Sequence, residues 1–241
     1  MTAPSATPTM LREPSRRIPP LENGDRLTRA EFERRYTAMP HLKKAELIEG
    51  VVYVPSPVSF EQHGGQHADV MTWLGVYWAA TPGVQVGDNT TVVLEGDNEP
   101  QPDALLRIAP THGGQSRTIE GGYVEGAPEL IVEVTATSAS YDLHDKLDVY
   151  RRHHVREYLV WRVLDEAIDW FILRRGRFKR LPLASGNVYR SETFPGLWLD
   201  AAALVHGDLG RVLQVLQQGI ASAEHAAFVT RLQQAAARRR P

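Results

Sequence analysis

Pro128-Glu129-Leu130-Ile131-Val132-Glu133-Val134 is the stretch on which the fold turns. Its apolar residues are consecutive rather than alternating, so it reads as a strand buried on both faces, an inner strand of a sheet. Glu133 sits inside that run. A carboxylate taken out of water is costly unless a cation meets it. Two readings follow: an ion pair with a Lys or Arg, or a metal ligand.

Working outward, Gln101-Pro102-Asp103 opens a short apolar segment, Ala104 to Ile108. Proline is tolerated at the start of a strand, so Asp103 falls at a strand end, where it can face a cleft. Two acids on two strands of one sheet can converge on one Mg²⁺, a cation that takes oxygen ligands and keeps several waters. Downstream, a helix is predicted over residues 142–153, with Leu143, Leu147 and Tyr150 as its inner stripe. Lys146 lies three residues after Leu143 and four before Tyr150, on the same side. Its ammonium either snorkels to water or meets a carboxylate. Two acids, a metal and a lysine suit phosphodiester hydrolysis: the metal polarises the phosphate and activates water, and the lysine stabilises developing negative charge. On this reading Lys146→Met removes charge at little cost in stability.

The remaining elements alternate in kind. Thr28 and Glu31 have capping-box spacing for a helix toward Tyr36. Residues 45–54 read as two short strands turning at Glu49-Gly50 and ended by Pro55 and Pro57. Val70, Trp73, Leu74 and Tyr77 mark the buried stripe of a helix over 61–80. Extended segments follow at 84–86 and 90–94, then a Gly-rich loop over about 110–126. Tyr158 to Trp161 reads as another inner strand. Residues 168–181 read as a hairpin turning at Arg175-Gly176, and the chain after about Ala201 reads as helical. The fold class is therefore α/β, a mixed sheet flanked by helices with a C-terminal helical extension. The expected organisation is a flexible tail over 1–25, one domain over 26–200 and helices over 201–241.

Composition limits the alternatives. The chain has 241 residues, 42 % hydrophobic and 23 % charged, with net charge −2. A core can form, but no global basic field draws nucleic acid. There are no cysteines, which excludes disulfides, Cys-ligated zinc and thiol nucleophiles. The opening residues do not read as a secretory signal, and no apolar run approaches a membrane span. A cytoplasmic location is expected.

Secondary clusters carry further readings. His63 and His67 have His-x-x-x-His spacing for zinc, but Gly64 stands where a metalloprotease helix carries Glu; structural histidines near the cleft are the other reading. Arg151, Arg152, His153 and His154 suit a solvated helix C-terminus, where positive charge complements the dipole. Arg174, Arg175, Arg177, Lys179 and Arg180 form the main local basic patch, an exposed hairpin or a surface for phosphate backbone.

These residues, taken in order, resemble a known family. The pieces are Ala45-Glu46-Leu47-Ile48-Glu49-Gly50, Ser56-Pro57, His63, Gln101-Pro102-Asp103, Pro128 to Val134, Lys146-x-x-x-Tyr150 and Val155 to Val160. Together, over residues 28–200, they are similar to the Uma family of putative restriction endonucleases, within the PD-(D/E)XK nuclease superfamily. The resemblance implies an α-β-β-β-α-β core and a metal-dependent endonuclease acting on DNA with Mg²⁺, Mn²⁺ being a substitute. It also implies a homodimer that brings two sites to two strands. It implies Asp103 and Glu133 as metal-binding catalytic acids, Glu46 as a first acid near them, and Gln101 and His63 as supporting residues. The chain departs from the superfamily pattern at Thr135, where a lysine is expected, so Lys146 would take that lysine's place. It departs again at Ala136-Thr137-Ser138, where the family carries Ser-Pro-Ser. Two further readings stay open: the same fold without catalysis, binding DNA or protein, and a different metal hydrolase using His63 and His67.

Overall fold

The computed structural model describes residues 18–55, 59–136, 141–184 and 186–239. Of the expected tail, residues 1–17 lie outside the described residues, as do Ser56, Pro57, Thr137 and Ser138. From Leu21 onward the chain is held in place: Leu21 is buried, and the Gly24 N–H donates to the Val52 carbonyl at 2.8 Å.

Helix α1 (Arg29–Thr37) starts at Thr28, whose hydroxyl accepts from the Glu31 N–H as the capping spacing requires. The hairpin β1 (Glu46–Ile48) and β2 (Val51–Tyr53) turns through Glu49 at φ 51° and Gly50 at φ 75°. Left-handed conformation at both central residues is what a two-residue hairpin turn needs. Phe32, Leu47 and Val52 seal α1 onto this hairpin in a small core of their own. A π-helical turn over Phe60–Gly64 leads into α2 (Gly65–Ala80), whose Val70, Trp73, Leu74 and Tyr77 are fully buried.

The centre is a six-stranded sheet in the order β11-β10-β9-β8-β5-β3. Its strands are β3 (Val84–Asp88), β5 (Ala104–Ile108), β8 (Leu130–Thr135), β9 (Glu157–Arg162), β10 (Ala167–Arg174) and β11 (Arg177–Arg180). All neighbours are antiparallel except β8 and β9, which run parallel. A parallel pair needs a crossover. Here it is a π-helical turn over Asp142–Lys146 continued by α3 (Leu147–Arg152). The series α2, β3, β5, β8, crossover helix, β9 is the α-β-β-β-α-β order expected from the resemblance. A three-stranded sheet of β4 (Val92–Val93), β6 (Arg117–Thr118) and β7 (Val124–Glu125) lies beside it.

Strand alternation divides the interior. Leu130, Val132 and Val134 of β8 face a core built with α2, with β12 (Val188–Arg190) and β13 (Trp198–Asp200), and with three C-terminal helices. Those helices are α4 (Ala201–Val205), α5 (Leu209–Ile220) and α6 (Ala223–Arg238), which contribute Leu204, Val212, Leu216, Phe228 and Leu232. Ile131 faces the other core, under the crossover helix, with Val149, Tyr150 and Tyr158. Glu133 is two residues from Ile131 and so lies on that second face. Among the described residues, no helix is long and apolar enough to cross a membrane.

Candidate active site

Register brings the two acids together. In the β5–β8 pair, Ala104 stands opposite Val132, so Asp103 and Glu133, one step further on, are cross-strand neighbours on one face. Pro102 stops β5 from continuing, and beyond that point the Val134 N–H has no β5 carbonyl to reach. The Asp103 carboxylate takes its place, Oδ2 accepting from Val134 N at 2.9 Å. Asp103's own N–H points toward Glu133 Oε2 at 3.4 Å. Both acids are buried, at 4 % and 3 % exposure.

Lys146 enters from the crossover. Its ammonium, also buried, lies 2.9 Å from Glu133 Oε1, 3.0 Å from Glu46 Oε1 and 3.5 Å from Asp142 Oδ1. Tyr150, one turn on, donates its hydroxyl to Glu133 Oε1 at 3.2 Å. Glu46 reaches the cluster because β1 is tied to the segment before β5: Leu47 and Glu99 exchange main-chain hydrogen bonds, and Gln101 N–H donates to Glu46 Oε1 at 2.7 Å. The Gln101 side chain donates to the Asn89 carbonyl at 2.8 Å, bracing the turn after β3.

Asp103 has partners of its own. Lys44 Nζ is 2.9 Å from Oδ1, and His63 Nε2 is 3.2 Å from Oδ2. His67 Nε2 lies 3.0 Å from the Asp103 main-chain oxygen and 3.1 Å from Asp88 Oδ1. Both rings of the His-x-x-x-His pair therefore serve Asp103 and its flank. His63 sits in the π-helical turn before α2, and Lys146 in the one before α3. Turns of this kind recur at functional sites because the extra residue re-aims a side chain.

The electrostatics are asymmetric. Burial pushes the Asp103 carboxyl up, but the His63 hydrogen bond and the Lys44 charge outweigh it and hold Asp103 well below the usual range. Glu133 goes the other way. Burial lifts it to about 8 against the pull of Lys146, and Asp103, Asp142 and Glu46 add to the rise. Lys146 is held firmly charged, since Glu133 and Glu46 overcome the cost of its burial. The cluster thus holds four buried carboxylates against two ammonium groups, Lys44 and Lys146. An excess of hard oxygen donors suits a divalent cation of the Mg²⁺ kind, which needs only one or two carboxylates and otherwise keeps water. Among the described residues, no three His, Asp or Glu side chains are gathered tightly enough to enclose an ion by themselves.

The sequence-predicted residues Glu46, Gln101, Asp103, Glu133, Lys146 and His63 all fall in this one cluster. Lys44 and Asp142 belong to it too and were not foreseen. Asp142 carried a signal, its i,i+4 spacing to Lys146. Lys44 carried none, because it lies in an irregular segment without periodicity.

Comparison with known proteins supports the same direction. No curated protein matches the chain. A solved structure described as a putative nuclease belonging to DUF820, from Anabaena variabilis, superposes with a TM-score of 0.50 at 12 % identity. The match covers 71 % of this chain and 97 % of that one, and at such low identity it speaks for the fold alone. Residues 29–202 match the sequence profile of Uma2, described as putative restriction endonuclease. Spanning most of the chain, that match carries the conclusion: the protein belongs to the Uma2 family of putative restriction endonucleases.

Proposed function

We propose that the protein is a metal-dependent endonuclease that hydrolyses DNA phosphodiester bonds. The observation that carries this reading is the cross-strand pair Asp103 and Glu133 with the Lys146 ammonium 2.9 Å from Glu133. Asp103 and Glu133 would hold the divalent cation, with Glu46 beside them. When bound, that cation supplies Lewis-acid polarisation of the phosphate and a more acidic water.

The chain's own residues do the rest. Lys146, charged and desolvated, stabilises negative charge on the phosphate oxygens where the medium screens it least. Tyr150 and Lys146 fix the Glu133 carboxylate from one side. His63 and the Val134 N–H fix Asp103 Oδ2, keeping one rotamer of the acid. Lys44, partly open to solvent, neutralises Asp103 and lies at the mouth of the cluster, where a phosphate would arrive. Thr135 occupies the position of the usual lysine, and Lys146 reaches the same carboxylate from the crossover helix.

A second reading keeps the fold without catalysis, as a module that binds DNA or protein. What favours it is that Asp103 and Glu133 are both already engaged by ammonium groups. Incubating purified protein with plasmid and linear DNA in Mg²⁺ or Mn²⁺, beside Asp103→Asn and Glu133→Gln, separates the two. The nuclease reading expects cutting that both variants lose. DNA that stays intact with every metal and substrate, while still binding the protein, favours the module.

A further inference from the structure

A hollow of about 290 Å³, unused by the chemistry above, opens over β3 and β5 on the sheet. Its lining includes Trp78, Gln85, Gly87, Thr90, Arg107 and Thr118. Alternation along β5 puts Asp103, Leu105 and Arg107 on one face of the sheet, with Arg107 about 13 Å along the strand from Asp103. The turn after β3 joins the two places. Thr90 lines the hollow, while the neighbouring Asn89 accepts from Gln101 and, at 3.4 Å, from Lys44.

Arg107 is only 8 % exposed. Its Nη2 donates to Thr118 Oγ1 at 2.6 Å, but its buried Nη1 has no hydrogen-bond partner. A buried donor without an acceptor is costly, and more so on a cation. Opposite in character, Trp78 is 49 % exposed, an apolar ring at the rim. At Gly87 the β3 backbone is packed close to its neighbours, since a Cβ there would stand 2.7 Å from Thr90 Oγ1 and 3.0 Å from Leu105 Cγ. The hollow thus combines a flat apolar wall, small polar side chains and, just behind its lining, an unsatisfied donor, which is the chemistry that takes a nucleobase.

We propose that this hollow is a base subsite: it receives one unstacked base of the bound strand, about 13 Å from the carboxylates, with its ring against Trp78 and, after a shift of the Arg107 side chain, an acceptor on its edge meeting Nη1. The assignment rests on the nuclease reading for its position in the reaction, but base binding can be read without any cutting.

The test uses the full chain and a short fluorescent single-stranded oligodeoxynucleotide, followed by anisotropy in EDTA so that nothing is cleaved. Trp78→Ala should weaken binding on the order of 5- to 100-fold, the range for losing one stacked base, while Trp78→Phe keeps most of the affinity. Arg107→Met should weaken it too, without changing the dependence on salt, because a base carries no charge. If Arg107→Met does not fold, the exposed Trp78 pair decides alone. Wild-type protein that fails to bind the oligonucleotide, or a Trp78→Ala protein within about twofold of wild type, overturns the proposal. So does a salt slope that falls by about 0.7 in Arg107→Met, the mark of a phosphate contact. Cleavage in Mg²⁺ keeps the two claims apart. A wild type that cuts while Trp78→Ala binds normally removes the subsite and leaves the nuclease. A wild type that never cuts but shows the stacking pattern does the reverse.

Discussion

Replacing Lys146 with Met tests both the chemistry and the energetics of the cluster. The substitution keeps most of the apolar stem and removes the charge. Around the lost ammonium remain Glu133, Glu46 and Asp142, formerly at 2.9, 3.0 and 3.5 Å. All three are at most 5 % exposed. Removing one partner of a buried pair costs about 3–5 kcal/mol, because the other charge is left uncompensated. Three carboxylates sharing one cation put this case at the upper end when all are ionised. The mild effect on folding expected from sequence is therefore revised: the lysine is not an isolated burial cost but the counter-charge of an acidic cluster.

Protonation offers partial relief, and this gives the pH dependence its sign. Glu133 is already held at about 8, above its ordinary 4.5, and without Lys146 its pKa rises further. The folded state then binds more protons than the unfolded state from about pH 4.5 upward, so stability falls as pH rises through that window. Wild-type Glu133 contributes the same fall up to about pH 8, so urea melts should show the smaller loss below that pH and a loss growing toward about 3–5 kcal/mol above it. At the higher pH this corresponds to roughly 6–20 °C in Tm for a chain of this size. Cleavage by the folded fraction, assayed below the variant's Tm, should fall on the order of 10²–10³. Equal melts above pH 8 would refute the buried counter-charge. Equal cleavage would remove Lys146 from the catalytic set.

Four further outcomes are expected. Glu99, which burial and the neighbouring Glu33 lift to about 7, costs stability as pH rises from 4.5 to 7, so Glu99→Gln should gain on the order of 1–3 kcal/mol above pH 7; an equal gain at pH 4 would contradict the cause. Asp103, held below its ordinary range, contributes stability above about pH 3.8 that is lost on acidification, and an acid-side transition that does not shrink in Asp103→Asn would tell against the Lys44 and His63 contacts. Mg²⁺ at a hundredfold excess over its Kd should raise wild-type stability by about 2.7 kcal/mol, and calorimetry in which Glu133→Gln shows the same rise would move the metal elsewhere. Light scattering should report a dimer, the arrangement that brings two sites to two strands, and a monomer at high concentration would remove that expectation.

Much of the architecture was legible in local pattern. The run Leu130 to Val132 marks an inner strand because consecutive apolar residues suit only a strand covered on both faces. Thr28 caps α1, and Glu49-Gly50 supplies the two left-handed residues of its hairpin, since these are properties of a few adjacent residues. Glu133 stood out because a carboxylate in such a run demands a partner. What the tertiary structure alone decided is which partners meet it. The inner stripe of the crossover helix is a case in point. Regular helical spacing put Leu143 and Leu147 inward, but both are only half-buried, whereas Asp142 and Lys146 are fully enclosed. The π-helical turn over Asp142–Lys146 adds a residue to the turn and rotates the face, which a 3.6-residue period cannot register. Lys44 arrives from an irregular segment 59 residues away from Asp103 in sequence. The unsatisfied Nη1 of Arg107 likewise depends on the packing of β3, β5 and the small sheet around it. Sequence periodicity records which face a residue prefers; which opposite charge waits there is set by chain crossings between distant segments, and those exist only once the sheet has closed.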